Sequence, residues 1–559
     1  MLKDLKIVDQ DTRVRKDILP IKIIKKGGRI LNSGTLLKHK DLQTTTATTI
    51  PYATFENKET GSNAFIILDF GSEFHGSLRI ITAMLNSETG NVHLRITLGE
   101  SLSETMSNIG FKGATNDHSP RDFVREVGIF SDLEYGLGGF RFAKIELLSK
   151  NATLQIQSVS GVFIYKDLEY KGSFKCNDED LNRIYDIAAY TVHLNIQRYI
   201  WDGIKRDRLV WIGDINPEVK SIRTVFGECD EIEKTLDYFR KNTDVDSWMN
   251  TLPTYTLWWL ITVYEWYFYC GKKSFLNEQR NYVIKTITKI IDLIDDDGNT
   301  ERFPGTFLDW PTSQKAEVVY GVKGLICEAL LAAEELTKLY HRFDLAEICK
   351  RKVSGIRNTV CDANQSKAIA AFLYNAGIPQ VGDVASILIN DGAKGLSTFM
   401  SYYIFKAMSN CGCHQNALDI LKEYYGAMMR LGATTFWEDF NIEWADNALP
   451  IDVLPDDKHT DIHGDFGAYC YKGYRHSLCH GWSSGPVAFL NDFVLGIVPI
   501  EAGCKTVRIK ANLGNLKWAE GTFPTPYGVI YVRHKKGEND TVKSIVKAPN
   551  EVTIICDSI

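Results

Sequence analysis

Residues 201–214 read Trp-Asp-Gly-Ile-Lys-Arg-Asp-Arg-Leu-Val-Trp-Ile-Gly-Asp, setting the carboxylates Asp202, Asp207 and Asp214 among three basic residues and two tryptophans. Gly203 and Gly213 oppose one regular helix through the stretch, so it reads as a shaped loop that presents acids beside aromatic walls. That mixture suits a carbohydrate site. Flat apolar rings cover a sugar face, carboxylates hold its hydroxyls, and a carboxylic acid protonates a leaving oxygen. Two downstream segments share the character: Gly432-Ala433-Thr434-Thr435-Phe436-Trp437-Glu438-Asp439 and Ser477-Leu478-Cys479-His480-Gly481-Trp482.

Glycoside hydrolysis with inversion needs an acid and a base about 6.5–9.5 Å apart, leaving room for water. The acid must hold its proton near neutral pH, which calls for burial or a neighbouring like charge. Asp202 and Asp214 supply that charge to Asp207 if all three face one pocket. From residue types alone, other readings stand beside this one. Arg206-Asp207-Arg208 also reads as a surface salt-bridge run, and Asp214, before Ile215-Asn216-Pro217, as a helix N-cap. Glu438, Asp439 and Glu443 also read as solvated acids, His480 as structural, and Trp211, Trp437 and Trp482 as core.

Other chemistries find less support. His459 and His463 lie among Asp456, Asp457, Asp461 and Asp465, but the segment reads as a loop without fixed ligands, so no metal is expected. Cys411-Gly412-Cys413 lacks the spacing of a redox or zinc pair. No phosphate-binding loop of P-loop or dinucleotide type occurs, and Ser483-Ser484-Gly485 is not a nucleophile elbow. No cofactor is expected, because two carboxylates supply both proton transfers.

The three segments, in this order, resemble glycoside hydrolase family 78, the inverting α-L-rhamnosidases. That family carries an acid loop R-x-E-R-L-G-W-x-G-D, a T-T-x-W-E turn and an S-L-x-H segment. Here the loop reads Arg206-Asp207-Arg208-Leu209-Val210-Trp211-Ile212-Gly213-Asp214, with Asp207 where most members have Glu and Val210 where they have Gly. Leu308-Asp309-Trp310 is a further family-like piece. So is the closing run from Pro499 to Gly528, with Lys505-Thr506-Val507-Arg508-Ile509 and Pro524-Thr525-Pro526-Tyr527-Gly528. The resemblance covers about residues 60 to 535.

It implies a six-hairpin glycosidase that releases terminal α-L-rhamnose from glycosides or oligosaccharides. Asp207 is then the general acid and Glu438 the general base. Asp202, Arg206, Asp214, Asp309 and His480 become sugar contacts, and Trp211, Trp310, Trp437 and Trp482 pocket walls. The shorter Asp207 sets its proton one methylene back from a glutamate's. That departure leaves open a glycosidase of different sugar specificity, or a silent carbohydrate-binding protein on the same scaffold.

Two or three domains are expected for 559 residues. Hydrophobic residues at 44% and charged residues at 24% fit a folded chain rather than a disordered or fibrous one. A net charge of −6 without a long basic stripe argues against nucleic acid. No run of some 18 apolar residues suggests a membrane span. The charged start, Met1-Leu2-Lys3-Asp4-Leu5-Lys6, does not read as a signal peptide. The 12 cysteines are scattered, many in apolar helical stretches such as those of Cys270 and Cys327, which fits reduced thiols in a cytoplasm. No interface stripe is visible, so the oligomeric state is left open.

The elements that must position these residues follow from periodicity. Up to about residue 170 the chain reads as β: Val92, Leu94, Ile96 and Leu98 alternate with His93, Arg95 and Thr97. Ile66–Gly71 and Phe142–Leu147 read likewise, and Thr44–Thr49 as an edge or loop. From Asp178 the pattern becomes helical, with Leu181, Ile184, Ile187, Ala188, Thr191 and Leu194 on one face. Helices over Leu257–Tyr269, Tyr282–Leu293, Leu325–Tyr340 and Ala417–Met429 are joined by short loops, the signature of antiparallel hairpins. Strand signals return near 498, at 529–533 and 552–556. The expected fold is thus multidomain and mainly α. A β-sandwich-like domain (1–172) precedes a catalytic domain (173–497), for which the resemblance implies an (α/α)6 barrel, and a small β-domain (498–559) closes the chain.

Overall fold

The computed structural model of the protein describes residues 10–557 other than 40, 47, 48, 50 and 314. The charged residues 1–6, and Ala47 and Thr48 of the threonine run, lie outside them. Helices hold 38% of the residues, and sheets stand at both ends of the chain, so α and β share the molecule.

The N-terminal part is a nine-stranded antiparallel sheet. Its centre is the long strand Phe65–Asn86, flanked by Asp132–Leu147 and Ala152–Tyr165. In Val92–Gly99 the expected alternation holds only for the first half: Val92, Leu94 and Ile96 are buried and His93 is exposed, but Thr97, expected on the polar face, is buried as well. Register shifts between Asp69 and Phe74 and between Gly76 and Leu78 interrupt the pairing of the central strand with Asp132–Leu147. Such irregularities bend a strand and raise its twist. Leu68, Phe74, Ile80, Phe140 and Ile156 fill the core.

Helices follow from Glu179–Asn195, where Asp178 caps the N-terminus by accepting from Asp180 and Leu181 N–H. The predicted helices fall within or against Pro253–Cys270, Lys273–Ile291, Val318–Leu339 and His414–Arg430. Pro253–Cys270 is apolar on every side, with Trp258, Trp259, Leu260, Val263 and Trp266 all buried, as a helix wrapped by others must be. Val318–Leu339 packs against it and against Phe343–Arg357 and Lys367–Ala376.

Near the C-terminus, Trp518–Thr525, Gly528–Lys536 and Val542–Lys547 form an antiparallel sheet whose fourth strand is Ser173–Cys176. That strand precedes every long helix in the chain, so the closing sheet includes residues from the far side of the helical region. Ile497–Pro499, Thr506–Ile509 and Thr553–Cys556 make a separate three-stranded sheet.

Candidate active site

The acid loop runs from Ile196 to Asp214, between helices Glu179–Asn195 and Ile215–Val225. Asp202 folds it. One carboxylate oxygen accepts from Leu209 N–H (2.9 Å) and the other from Asp207 N–H (2.8 Å). The loop is joined to the Ser477–Trp482 segment by a backbone bridge between Gly203 and His480 and by Gly481 N–H donating to the Asp202 carbonyl (2.8 Å). A Cβ on Gly203 would run into the Arg206 carbonyl and lie 3.2 Å from the Cys479 carbonyl, so this approach requires glycine.

Arg206 connects the two candidate carboxylates. Its Nη1 donates to Asp207 Oδ1 (2.7 Å), its Nη2 to Glu438 Oε1 (2.5 Å) and its Nε to the Arg475 carbonyl (2.9 Å). One planar guanidinium therefore fixes both acids. Trp211 Nε1 donates to Asp207 Oδ2 (3.1 Å), and Ser477 N–H to Glu438 Oε2 (3.0 Å). The Glu438 carbonyl accepts from Thr398 Oγ1 (2.7 Å) and Trp482 Nε1 (2.8 Å). Trp482 stacks on Phe399 with ring centroids 4.8 Å apart.

These groups open onto a cavity of about 240 Å³, lined by Asp202, Arg206, Asp207, Trp211, Asp214, Trp310, Glu438, His480 and Trp482. Trp310 stacks on Tyr469 at the wall (5.6 Å between centroids). The cavity thus has an acidic floor and aromatic sides. Two larger and more open hollows lie on the surface, and neither includes Asp207 or Glu438.

Two expected residues stand elsewhere. The Trp437 ring is buried in the core, 1% exposed, and packs on Phe440 rather than lining the cavity. Its neighbour Glu438 faces the cavity, where Arg206 Nη2 and Ser477 N–H hold its carboxylate. Asp309 lies buried behind the wall. It accepts from Thr312 N–H (2.9 Å) and Ser397 Oγ (2.9 Å), and so shapes the turn that carries Trp310. Of the rival acids, Glu443 pairs on the surface with Lys394 (2.9 Å), and Asp439 accepts from Phe440 N–H (2.9 Å) away from the cavity. Asp214 occupies the N-cap position without making a capping bond; it accepts from Tyr255 Oη (2.6 Å) instead.

Asn250, Thr251, Leu252, Tyr255, Phe307 and Cys470 also line the cavity. They carry no motif. Gly213 is the only local signal of Tyr255, since a Cβ there would run into the tyrosine ring.

Burial dominates the electrostatics. It pushes the Asp202 carboxyl up to about 7, helped by the charge of Asp207 and opposed by the two backbone N–H donors. It pushes Asp214 well above the usual range, against the Tyr255 hydrogen bond. Glu438 is raised by burial while Arg206 and Ser477 N–H pull it back. Burial, then Arg206, hold His480 neutral; its Nδ1 has no protein partner, and its Nε2 lies 4.0 Å from both Asp202 and Glu438.

A second buried network stands behind the first. The Lys205 ammonium lies 2.7 Å from Glu100 and 3.3 Å from Glu104, and donates to the carbonyls of His476 (2.6 Å) and Tyr474 (3.0 Å). Glu100, Glu104 and His463 have the mutual spacing of metal ligands, and Lys205 sets its own cation among them. His459 and His463 separate: His459 pairs with Asp456 on the surface, and His463 is buried against Ser101.

The family model for the bacterial alpha-L-rhamnosidase 6 hairpin glycosidase domain matches residues 169–338, and that for the bacterial alpha-L-rhamnosidase C-terminal domain matches residues 496–556. A curated relative, an alpha-L-rhamnosidase of Formosa agariphila, is 28% identical over 81 residues, which are 14% of this chain and 8% of the relative. The GH78 family rhamnosidase of Bacillus sp. GL1 superposes with a TM-score of 0.74 at 21% identity, covering 94% of this chain and 55% of that one. The rhamnosidase from Klebsiella oxytoca with rhamnose bound gives 0.66 at 19%, covering 86% and 96%. The Streptomyces avermitilis alpha-L-rhamnosidase complexed with L-rhamnose gives 0.66 at 14%, covering 91% and 50%. The chain thus spans about half the length of the Bacillus and Streptomyces proteins and nearly all of the Klebsiella one. Residues 169–338 and 496–556 thus match the six-hairpin glycosidase and C-terminal domains of the bacterial alpha-L-rhamnosidases, and the chain shares its fold with the GH78 rhamnosidases.

Proposed function

We propose that this protein is an inverting glycoside hydrolase that releases terminal α-L-rhamnose. Its catalytic part is an (α/α)6 barrel over residues 173–497, between a β-domain (1–172) and a closing β-domain (498–559). Asp207 protonates the glycosidic oxygen and Glu438 takes a proton from the attacking water. One observation carries this reading: Arg206 holds Asp207 and Glu438 on the floor of one aromatic-walled cavity. The family match and the rhamnose-bound relatives supply the sugar. In this reading Asp202, Asp214 and His480 meet its hydroxyls, and Trp211, Trp310 and Trp482 its apolar face.

Release of nitrophenol from an aryl α-L-rhamnoside, beside a panel of other aryl glycosides, tests the reading. Asp207→Asn and Glu438→Gln should each lower kcat by about 10²–10⁴-fold while leaving the fold intact by circular dichroism. The first sugar seen by NMR should carry the anomeric configuration opposite to that of the substrate. Unchanged turnover in both variants would refute the assignment. Aspartate in the place of the usual glutamate favours a second reading, a six-hairpin glycosidase for another sugar. In that case a different member of the panel is cleaved, with the same dependence on Asp207.

A further inference from the structure

Asp207 has a third partner, from a distant part of the chain. His118 belongs to the turn after Thr115, between the strands Val92–Gly99 and Asp122–Val127 of the N-terminal sheet. Its Nε2 lies 3.4 Å from Asp207 Oδ1 and 3.8 Å from Asp117 Oδ2. The acid loop holds this turn in place: Arg208 donates Nη2 to the His118 carbonyl and Nη1 to the Leu137 carbonyl (2.8 Å). Asp117 is in turn paired with Arg475. His118 and Arg208 both stand in the left-handed backbone region, at φ 61° each, a conformation a non-glycine residue keeps where its surroundings hold it.

We propose that His118 is a positioning residue for the general acid. The inference rests on the glycosidase reading above. Asp207 Oδ1 accepts from Arg206 Nη1 and has His118 Nε2 against it at 3.4 Å, while Oδ2 accepts from Trp211 Nε1. With a guanidinium and an imidazole against Oδ1 and one indole N–H on Oδ2, the transferable proton falls to the remaining lone pair of Oδ2. As the glycosidic C–O bond breaks, this proton passes to the leaving oxygen, which keeps the bonding electron pair. Water adds to the sugar carbon and yields its proton to Glu438. An aspartate carries its carboxyl on a shorter arm than a glutamate, so it reaches less far and its partners must be brought to it. The N-terminal domain supplies this one.

The test uses the full chain, with His118→Ala and His118→Gln, on two α-L-rhamnosides. A dinitrophenyl glycoside has a leaving group that departs without a proton; an alkyl glycoside does not. His118→Ala should lose about 10-fold or more in kcat on the alkyl glycoside and less than about 2-fold on the dinitrophenyl glycoside. His118→Gln, which retains an N–H donor, should recover most of the loss. A role in folding alone would lower both substrates together. Equal loss on the two substrates, no loss on either, or no recovery with glutamine would overturn the proposal. A wild-type enzyme inert on both would refute the glycosidase reading, and the inference with it. A wild type that turns over both while His118→Ala matches it would overturn the inference alone.

Discussion

Glu218 shows at the residue scale what burial does to a carboxyl in this molecule. It is fully buried in helix Ile215–Val225, and neither of its oxygens has a hydrogen-bond partner. Burial, then Asp214 and Asp202, push it well above its ordinary value of 4.5, so the folded protein keeps a proton that the unfolded chain releases. The sign follows: this group's contribution falls as pH rises above about 4.5, by up to about 1.4 kcal/mol per pH unit. Glu218→Gln should lack that slope. Urea unfolding at pH 4, 5, 6 and 7 should show the variant gaining on wild type with each step, and a constant difference would contradict a protonated Glu218. The same scale shows what was readable. Asp202, Asp207, Asp214, Glu438, His480 and Trp482 are singled out by the family resemblance of three short segments, their types alone leaving structural readings open, and all line the cavity. Trp437 looked equivalent and is not, since residue type does not reveal which side chains of a loop turn toward the cavity. Tyr255 and Asn250 sit in sequence that any helix and its lead-in turn might show, and only their proximity to Asp214 and Trp211 gives them a place.

At the scale of elements, Lys205 explains why loop and sheet keep their geometry. It lies on the acid loop, its anionic partners Glu100 and Glu104 lie at the end of the N-terminal sheet, and its carbonyl partners lie on the segment before Ser477. Glu100 also accepts from Leu478 N–H (2.8 Å), next to the residue that holds Glu438. Attraction to Glu100 and Glu104 keeps the ammonium charged despite its burial. Lys205→Met would leave these carboxylates buried without their cation, a change that costs about 3–5 kcal/mol. Denaturant unfolding should register the loss; a change below about 1 kcal/mol would mean that the network is not cohesive. The helices themselves were legible, because a 3.6-residue apolar period survives any tertiary setting. The acid loop was legible only as a non-helix, since its shape comes from the Asp202 carboxylate bonding back to its own backbone and from its bridge to His480.

For the whole molecule, the N-terminal sheet is bound to the site rather than appended to it. Besides Lys205, Arg141 donates to the Gly432 carbonyl (3.2 Å), Thr434 Oγ1 accepts from Glu73 N–H (3.1 Å), and Tyr190 Oη donates to the Glu73 carbonyl (2.7 Å). A chain beginning at residue 173 should therefore be insoluble or inactive, as soluble expression and a glycosidase assay would show. A soluble fragment with wild-type turnover would refute the dependence. By itself the sequence determined the order of β, helical and β regions, and the residue types able to perform acid–base chemistry on a sugar. Both are local properties, set by side-chain period and functional group. The tertiary structure decided that Ser173–Cys176 joins the closing sheet, that Arg206 spans Asp207 and Glu438, and that His118 reaches Asp207. It also decided which carboxyls burial raises above their ordinary range. These outcomes depend on contacts between distant segments and on exclusion of water, and neither is encoded in the spacing of neighbouring residues.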